Sequence, residues 1–347
     1  MKIAPWIGRA LASMVGLSLI SCGGSGGGSS EMVKLQGAGA SFPAPIYSKW
    51  FKSYGEAHPN VQIDYQSVGS GSGIKSFIDK TVDFGASDAA MTAEEIGRVD
   101  PALGVQLLPM TAGAIVITYN LPDVKELKLS RKAYSGIFLG VVKKWTDPLI
   151  AKENPGVKLP DGPINVVVRA DSSGTTFVFT QHLSTISPDF AKGPGTSKMP
   201  NWPVGTRSKG NEGVTASIKT TPGSIGYIEY GYAKSQAMPM AILENKSGAY
   251  VAPSTAAGQA ALASAQLPEN LIVWVSDPEP KDAYPIVTYT WLLVNKKYDK
   301  SKLAVLQDLL KYSLTDGQKD AEPLGYIPMP APVVEKVKAA VDTLAAS

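Results

Sequence analysis

Three times in this chain an apolar, strand-like run passes into a turn of glycine and hydroxyl residues and then into a helix-like run. The turns read "GAGASFP" (37–43), "VGSGSG" (68–73) and "RADSSGTT" (169–176). A helix start exposes unpaired backbone N–H groups and the positive end of the helix dipole. Glycine lets that backbone approach a ligand closely. Serine and threonine add hydroxyl donors. One such turn is commonly no more than a cap. Three of the same character, one of them carrying an arginine, point to a multi-donor site for an anion.

The pattern also sets the architecture. "MVKLQGAG" reads as a strand, and the helix after it has Ser41 as a plausible N-cap. Its apolar face comprises Phe42, Ile46 and Trp50 with Tyr47, Phe51 and Tyr54 beside them. His58-Pro59-Asn60 ends that helix. "VQIDYQSV" alternates as a strand does, and a helix-like "IKSFIDKTV" follows. "VDFGASD" gives another strand, and Thr92 with Glu95 three residues later is a capping-box pattern. "GAIVITYNLP" and "PINVVVRA" are buried-strand candidates, "PGSIGYIEYGYA" reads as turn, strand and turn, and "AYPIVTYTWLLVNK" is a late strand or strand pair. Helices near 301–314 and 332–346 close the chain. Strand–helix alternation with few hairpin signals predicts an α/β protein with mixed sheets flanked by helices. With 347 residues there is room for two cores, hence two lobes. The expected crossings between them are near Met110–Gly113 and near Tyr284–Val287.

The first thirty residues are of another kind. Lys2 and Arg9 head an apolar "LASMVGLSLI" with no acid, which reads as a secretory signal over residues 1–21. The only cysteine, Cys22, follows directly, and Leu19-Ile20-Ser21-Cys22 resembles a bacterial lipobox. Cys22 is therefore the expected lipidation site, and the Gly/Ser-rich residues 22–32 the expected tether. The formal net charge of +3 falls to +1 without that signal, and no Lys/Arg cluster suggests a nucleic-acid footprint. The protein is expected to be exported, in the periplasm or at the cell surface, held to a membrane by a lipid.

Within the anion site Arg169 is the natural cation, because a guanidinium fork matches two oxygens of a tetrahedral oxyanion. Asp171 could orient it. Asp88, after the strand in "VDFGASD", either caps a helix or faces the same cleft. A carboxylate facing an oxyanion is tolerable only where the anion donates a proton. Hydrogen phosphate does; sulfate at neutral pH does not. Enzymatic readings find little support. Ser72 is not the centre of a G-x-S-x-G elbow, since position 70 is Ser, and His58 and His182 are the only histidines. Trp145 reads as a packing residue, and His182 as either helix surface or packing. There is no G-x-x-x-x-G-K-[ST] loop and no Cys/His metal cluster. No cofactor, metal site or catalytic residue is assigned.

Taken together, "GAGASFPAPIYSKW", "VGSGSG", "TVDFGASDAAMT", "VVRADSSGTTFVFT", "KGNEGV" and "PGSIGYIEYGYA" resemble the phosphate-binding proteins of bacterial Pst ABC transporters, from about Lys34 to "PMPAPVVEKV". The resemblance implies a two-lobed periplasmic binding protein of type II-like fold with its ligand in the cleft. Lobe 1 would comprise residues 33–112 and 285–347, and lobe 2 residues 113–284. It implies phosphate contacts at Ala40, Ser41 and Phe42, at Ser70, at Asp88, at Arg169, and at Ser173, Gly174 and Thr175. Ser41 stands where many relatives have Thr, and Ser172 where they often have Gly. The implied partners are inorganic phosphate and the permease and ATPase subunits of an ABC importer.

Overall fold

The sheet is built around one long strand. In the computed structural model, which describes residues 32–347, β1 (Val33–Gly39), β2 (Val61–Ser67), β3 (Phe84–Ser87), β4 (Gln106–Tyr119), β5 (Asn165–Arg169), β6 (Thr206–Ser208), β7 (Ser224–Glu229) and β8 (Val287–Val294) form a single eight-stranded sheet. Its order is β2-β1-β3-β8-β4-β7-β5-β6. The predicted signal segment, Cys22 and residues 22–31 of the tether lie outside the described residues.

Strand direction then fixes where a ligand can sit. β1 is parallel to β2 and β3, and β5 is parallel to β6 and β7. β8 is antiparallel to β3 and β4, and β4 is antiparallel to β7. Counting the reversals, β1–β3 run with β4, while β5–β7 run against it. β4 pairs with β8 as far as Ala114 and with β7 from Ile115. The carboxyl end of β3, Ser87, lies opposite Trp291 of β8, which in turn faces Pro109 of β4. The carboxyl end of β7, Glu229, lies opposite Ile115. Both sets of carboxyl ends therefore point at the middle of β4 from opposite directions. Ligands of open α/β sheets bind at such ends.

Helices follow these strands: α1 (Ala44–Ala57) after β1, α2 (Ser70–Ile78) after β2, α3 (Ala93–Gly97) after β3, α4 (Gly174–Ile186) after β5, α5 (Gly210–Thr220) after β6 and α6 (Tyr230–Ser235) after β7. α7 (Lys300–Leu314) and α8 (Ala331–Asp342) close the chain. The aromatic face predicted for α1 is buried, with Ile46, Tyr47, Trp50, Phe51 and Tyr54 all inside. Tyr47 stacks on Phe51, and both meet Tyr65 of β2 edge-on. Trp145 is fully buried and donates to the Gly223 carbonyl at 3.2 Å, a packing role. His182 is also buried, its Nε2 2.8 Å from the Tyr134 hydroxyl.

Local expectations fail where tertiary contacts take over. Ser41 does not cap α1: Pro43 holds that position without a side-chain cap, because the Ser41 hydroxyl is engaged elsewhere. α2 begins at Ser70 rather than in "IKSF". "EYGYA" forms α6 rather than a turn, its N-terminus capped by the buried Glu229 carboxyl, which accepts from Gly231 N–H at 2.8 Å. Ala345–Ala346 leave the last helix to pair with Lys297–Tyr298. The capping box holds, with Thr92 and Glu95 bonded in both directions at 2.8 and 3.1 Å.

Candidate functional site

The loop after β1 is held by three tyrosines. Tyr65, Tyr232 and Tyr326 each donate a hydroxyl at 2.6 Å, to the carbonyls of Ala40, Ser41 and Phe42 in turn. In a trans peptide the carbonyl and the following N–H point in opposite directions. Anchoring the Ala40 and Ser41 carbonyls thus turns the N–H groups of Ser41 and Phe42 away from the tyrosines. Among the described residues neither N–H has a hydrogen-bond partner. Ala40, Ser41 and Phe42 are all buried. Two free donors in a buried loop are costly unless something accepts from them.

The second and third loops meet. Ser70 Oγ accepts from Asp88 N–H at 3.3 Å and from Gly174 N–H at 3.1 Å. Gly71 N–H donates to Ser172 O at 2.9 Å. With both lone pairs of Ser70 occupied, its own hydrogen can only donate onward. Ser173 Oγ caps α4 by accepting from Thr176 N–H at 3.0 Å, and its hydrogen has no acceptor among the described residues. Gly174 must be glycine, because a Cβ there would lie 2.5 Å from Ser70 Oγ and 2.7 Å from the Asp88 Cβ.

Arg169 ends β5 with its side chain 1% exposed. Its Nε and Nη2 clasp Asp171 at 2.9 and 2.6 Å, and Asp171 also accepts from Gly210 N–H at 3.0 Å. Burial alone would raise the Asp171 carboxyl, but the guanidinium and that N–H more than offset it and hold the group below its usual range. The expected orienting pair is thus present. Nη1 of Arg169 is buried and has no partner among the described residues.

Asp88 stands inside this ring of donors. Thr290 Oγ1, at a bulge in β8, donates to its Oδ1 at 2.8 Å, and Thr175 Oγ1 reaches Oδ2 at 3.5 Å. Bulges re-aim side chains in this way. Asp88 caps no helix; α3 is capped by Thr92. Burial pushes the Asp88 carboxyl up to about 7, against the Thr290 hydrogen bond, the Arg169 charge and Thr175. Burial likewise pushes Glu229 well up, opposed by N–H groups of Gly231 and Tyr232.

The structure thus brings Ala40, Ser41, Phe42, Ser70, Asp88, Arg169, Ser173, Gly174 and Thr175 into one buried cluster. Sequence reasoning missed Asn211, Thr290 and the three tyrosines. "KGNEGV" drew attention to the segment of Asn211 but gave that residue no role. An open groove of about 750 Å³, lined by Glu212, Thr215, Lys219, Lys234 and Gln236 among others, lies outside the cluster and holds none of the predicted residues.

The raised Asp88 carboxyl gives a stability prediction. In the unfolded chain it titrates near 4, so without ligand the folded state keeps the proton up to about 7. Its contribution is complete below about 4 and is lost as pH rises through 7. His182, pushed down to about 4 by burial, works in the opposite sense over the same range. The readout is therefore a difference. The melting temperature of Asp88→Asn relative to the parent should rise between pH 5 and 8 by on the order of a few °C. A difference that stays flat with pH would contradict the raised carboxyl.

A family model described as a PBP superfamily domain matches residues 25–316. "Phosphate-binding protein PstS" of Pasteurella multocida is 41% identical over 312 residues, covering 88% of this chain and 89% of that protein. The protein of the same name from Methanocaldococcus jannaschii is 37% identical and covers 94% of each chain. Among solved structures, a high-affinity periplasmic phosphate-binding protein bound with phosphate superposes with a TM-score of 0.75. It is 20% identical and covers 88% of this chain and 93% of its own. A phosphate-binding protein from Stenotrophomonas maltophilia gives a TM-score of 0.71 at 21% identity over the same shares. At those identities the structures speak for the fold alone, a two-lobed α/β binding-protein fold. Matched over nearly its whole length by sequence as well, the chain belongs to the PstS family of phosphate-binding proteins within the PBP superfamily.

Proposed function

We infer that this protein captures inorganic phosphate outside the cytoplasm and delivers it to the permease and ATPase subunits of an ABC importer. The observation that carries this reading is one carboxylate, Asp88, set among donors that have no acceptor among the described residues. Those donors are the N–H groups of Ser41 and Phe42, the hydroxyls of Ser70 and Ser173, and Nη1 of Arg169. The ligand that fits is an anion that accepts almost everywhere and donates at least one proton to Asp88. Monobasic and dibasic phosphate both qualify. Phosphate contacts are assigned to Ala40, Ser41, Phe42, Ser70, Asp88, Arg169, Ser173, Gly174 and Thr175. Equilibrium dialysis of the purified protein against labelled phosphate tests the reading: one site per chain is expected, and no retention at millimolar phosphate would refute it.

The change of partner along β4, from β8 to β7 after Ala114, supports lobe boundaries near residues 113 and 285. Lobe 1 is then 33–112 with 285–347, and lobe 2 is 113–284. Closure around phosphate should reduce the radius of gyration in solution scattering, and identical profiles with and without phosphate would argue against a hinge. The signal-like residues 1–21, the lipobox-like Leu19–Cys22 and the Gly/Ser run after it support export and lipidation at Cys22. Among the described residues no helix is long and apolar enough to cross a membrane. Cys22→Ala should leave the membrane fraction yet bind phosphate as before. A variant that stays membrane-bound would overturn the anchor.

A further inference from the structure

We propose that Asn211 is a positioning residue that aims the Ser41 hydroxyl at the bound anion and couples that aim to the meeting of the two carboxyl ends of the sheet. The inference rests on the phosphate reading and adds to it a residue that does not itself touch the ligand.

Asn211 is the second residue of α5 and is fully buried. Its Oδ1 accepts from the Glu229 backbone N–H at 3.0 Å. A backbone N–H can only donate, so the amide orientation is fixed: oxygen toward Glu229, nitrogen toward the cluster. The two Nδ2 hydrogens go to Ser41 Oγ at 2.9 Å and to Thr175 Oγ1 at 3.2 Å. The backbone N–H of Asn211 also donates to Ser41 Oγ, at 3.0 Å.

Ser41 Oγ therefore receives two donors, neither of which can accept. Both lone pairs are occupied, and the hydroxyl hydrogen must find its acceptor elsewhere. The Ser41 and Phe42 N–H groups are free donors of the same loop. A ligand oxygen is the acceptor common to all three. Without the Asn211 side chain, the hydroxyl keeps a lone pair free and can turn to accept instead.

The placement matters as much as the chemistry. Ser41 follows β1, Thr175 begins the helix after β5, and Asn211 begins the helix after β6. One amide nitrogen thus bridges a loop at the carboxyl ends of β1–β3 and a loop at the carboxyl ends of β5–β7. The Ser41 donor is set only when those ends are together, so the alignment that favours the anion and the closed arrangement stabilise each other.

The test is calorimetric titration of the full-length protein with inorganic phosphate, for parent, Ser41→Ala, Asn211→Ala, the double variant and Asn211→Asp, between pH 5.5 and 8. Asn211→Ala should weaken binding roughly tenfold, the effect of one lost hydrogen bond. That penalty should nearly vanish in the Ser41→Ala background, as for two residues acting through one contact. Asn211→Asp should weaken binding roughly 10²–10³-fold at pH 8, because its carboxylate captures the Ser41 and Thr175 hydroxyls and repels the anion. Its deficit relative to the parent should shrink as pH falls, since a protonated carboxyl regains one donor. A residue that merely props the fold would show neither the cycle nor the recovery. An Asn211→Ala penalty undiminished in the Ser41→Ala background overturns the proposal, as does an Asp variant with parental affinity at pH 8. Should the alanine variants not fold, the pH recovery of Asn211→Asp decides alone, and its absence counts against the proposal. A parent protein that binds no phosphate would instead sink the functional reading on which the proposal rests.

Discussion

Replacing Arg169 with alanine is expected to weaken phosphate binding by roughly 30- to 5,000-fold, the range of about 2–5 kcal/mol for truncating one partner of a buried charge pair. Three losses coincide. The buried Nη1, which has no partner among the described residues, disappears, and with it a charge-assisted bond to the ligand. Asp171, clasped through Nε and Nη2, is left a half-buried carboxylate without its cation. Asp88 loses the nearby cation that lowers its carboxyl, so it keeps its own proton to higher pH and is less able to accept the ligand's. Arg169→Lys should fall between parent and alanine, since one ammonium cannot span both Asp171 oxygens and still reach the ligand. Titration calorimetry of the three proteins, with melting curves to separate affinity from folding, checks this. An alanine variant within about threefold of the parent would remove Arg169 from the site.

The parts of this site that were legible in the sequence are the ones encoded locally. "GAGASFP", "VGSGSG" and "RADSSGTT" carry their glycines and hydroxyls within a few residues, and the strand ends they follow are where ligands bind. Arg169 and Asp171 are two residues apart, so their pairing could be anticipated. What was not legible comes from far away along the chain. Thr290 reaches Asp88 across a gap of 202 residues, and the Tyr326 hydroxyl reaches Phe42 across 284. Asn211 reaches Ser41 across 170. No local pattern marks a tyrosine as the anchor of a distant carbonyl. The same limit explains the misread cap. Ser41 before a proline-rich helix start looks like an N-cap, but two donors from Asn211 claim its hydroxyl. The change of partner along β4 is likewise a matter of distant pairing: "GAIVITYNLP" announces a buried strand, not that it changes partner at Ala114.

The second large effect concerns selectivity. Asp88→Asn should admit sulfate. In the parent at alkaline pH, an ionised Asp88 faces a sulfate oxygen, acceptor against acceptor, in a buried site. That costs ~1–3 kcal/mol and more when charged, and sites built on such pairing discriminate by roughly 10⁴–10⁵. An amide at position 88 can turn its N–H to sulfate, so sulfate affinity should rise by roughly 10- to 100-fold or more. Phosphate should suffer less than from the loss of Arg169, because the amide oxygen still accepts its proton. The pH dependence has a fixed sign. As pH falls through about 7, Asp88 in the parent gains a proton and becomes a donor, so sulfate should compete better in acid than in alkali. In Asp88→Asn that trend should disappear. A variant that rejects sulfate as strongly as the parent would leave Asp88 without its assigned role.

The measurement that bears most directly on the whole account is calorimetric titration of the unmodified sequence with phosphate and with sulfate at pH 8. Arg169, Asp88 and the free N–H groups of Ser41 and Phe42 together predict one saturable phosphate site and no detectable sulfate binding at a roughly thousandfold higher concentration. Sulfate bound with an affinity comparable to phosphate would contradict it.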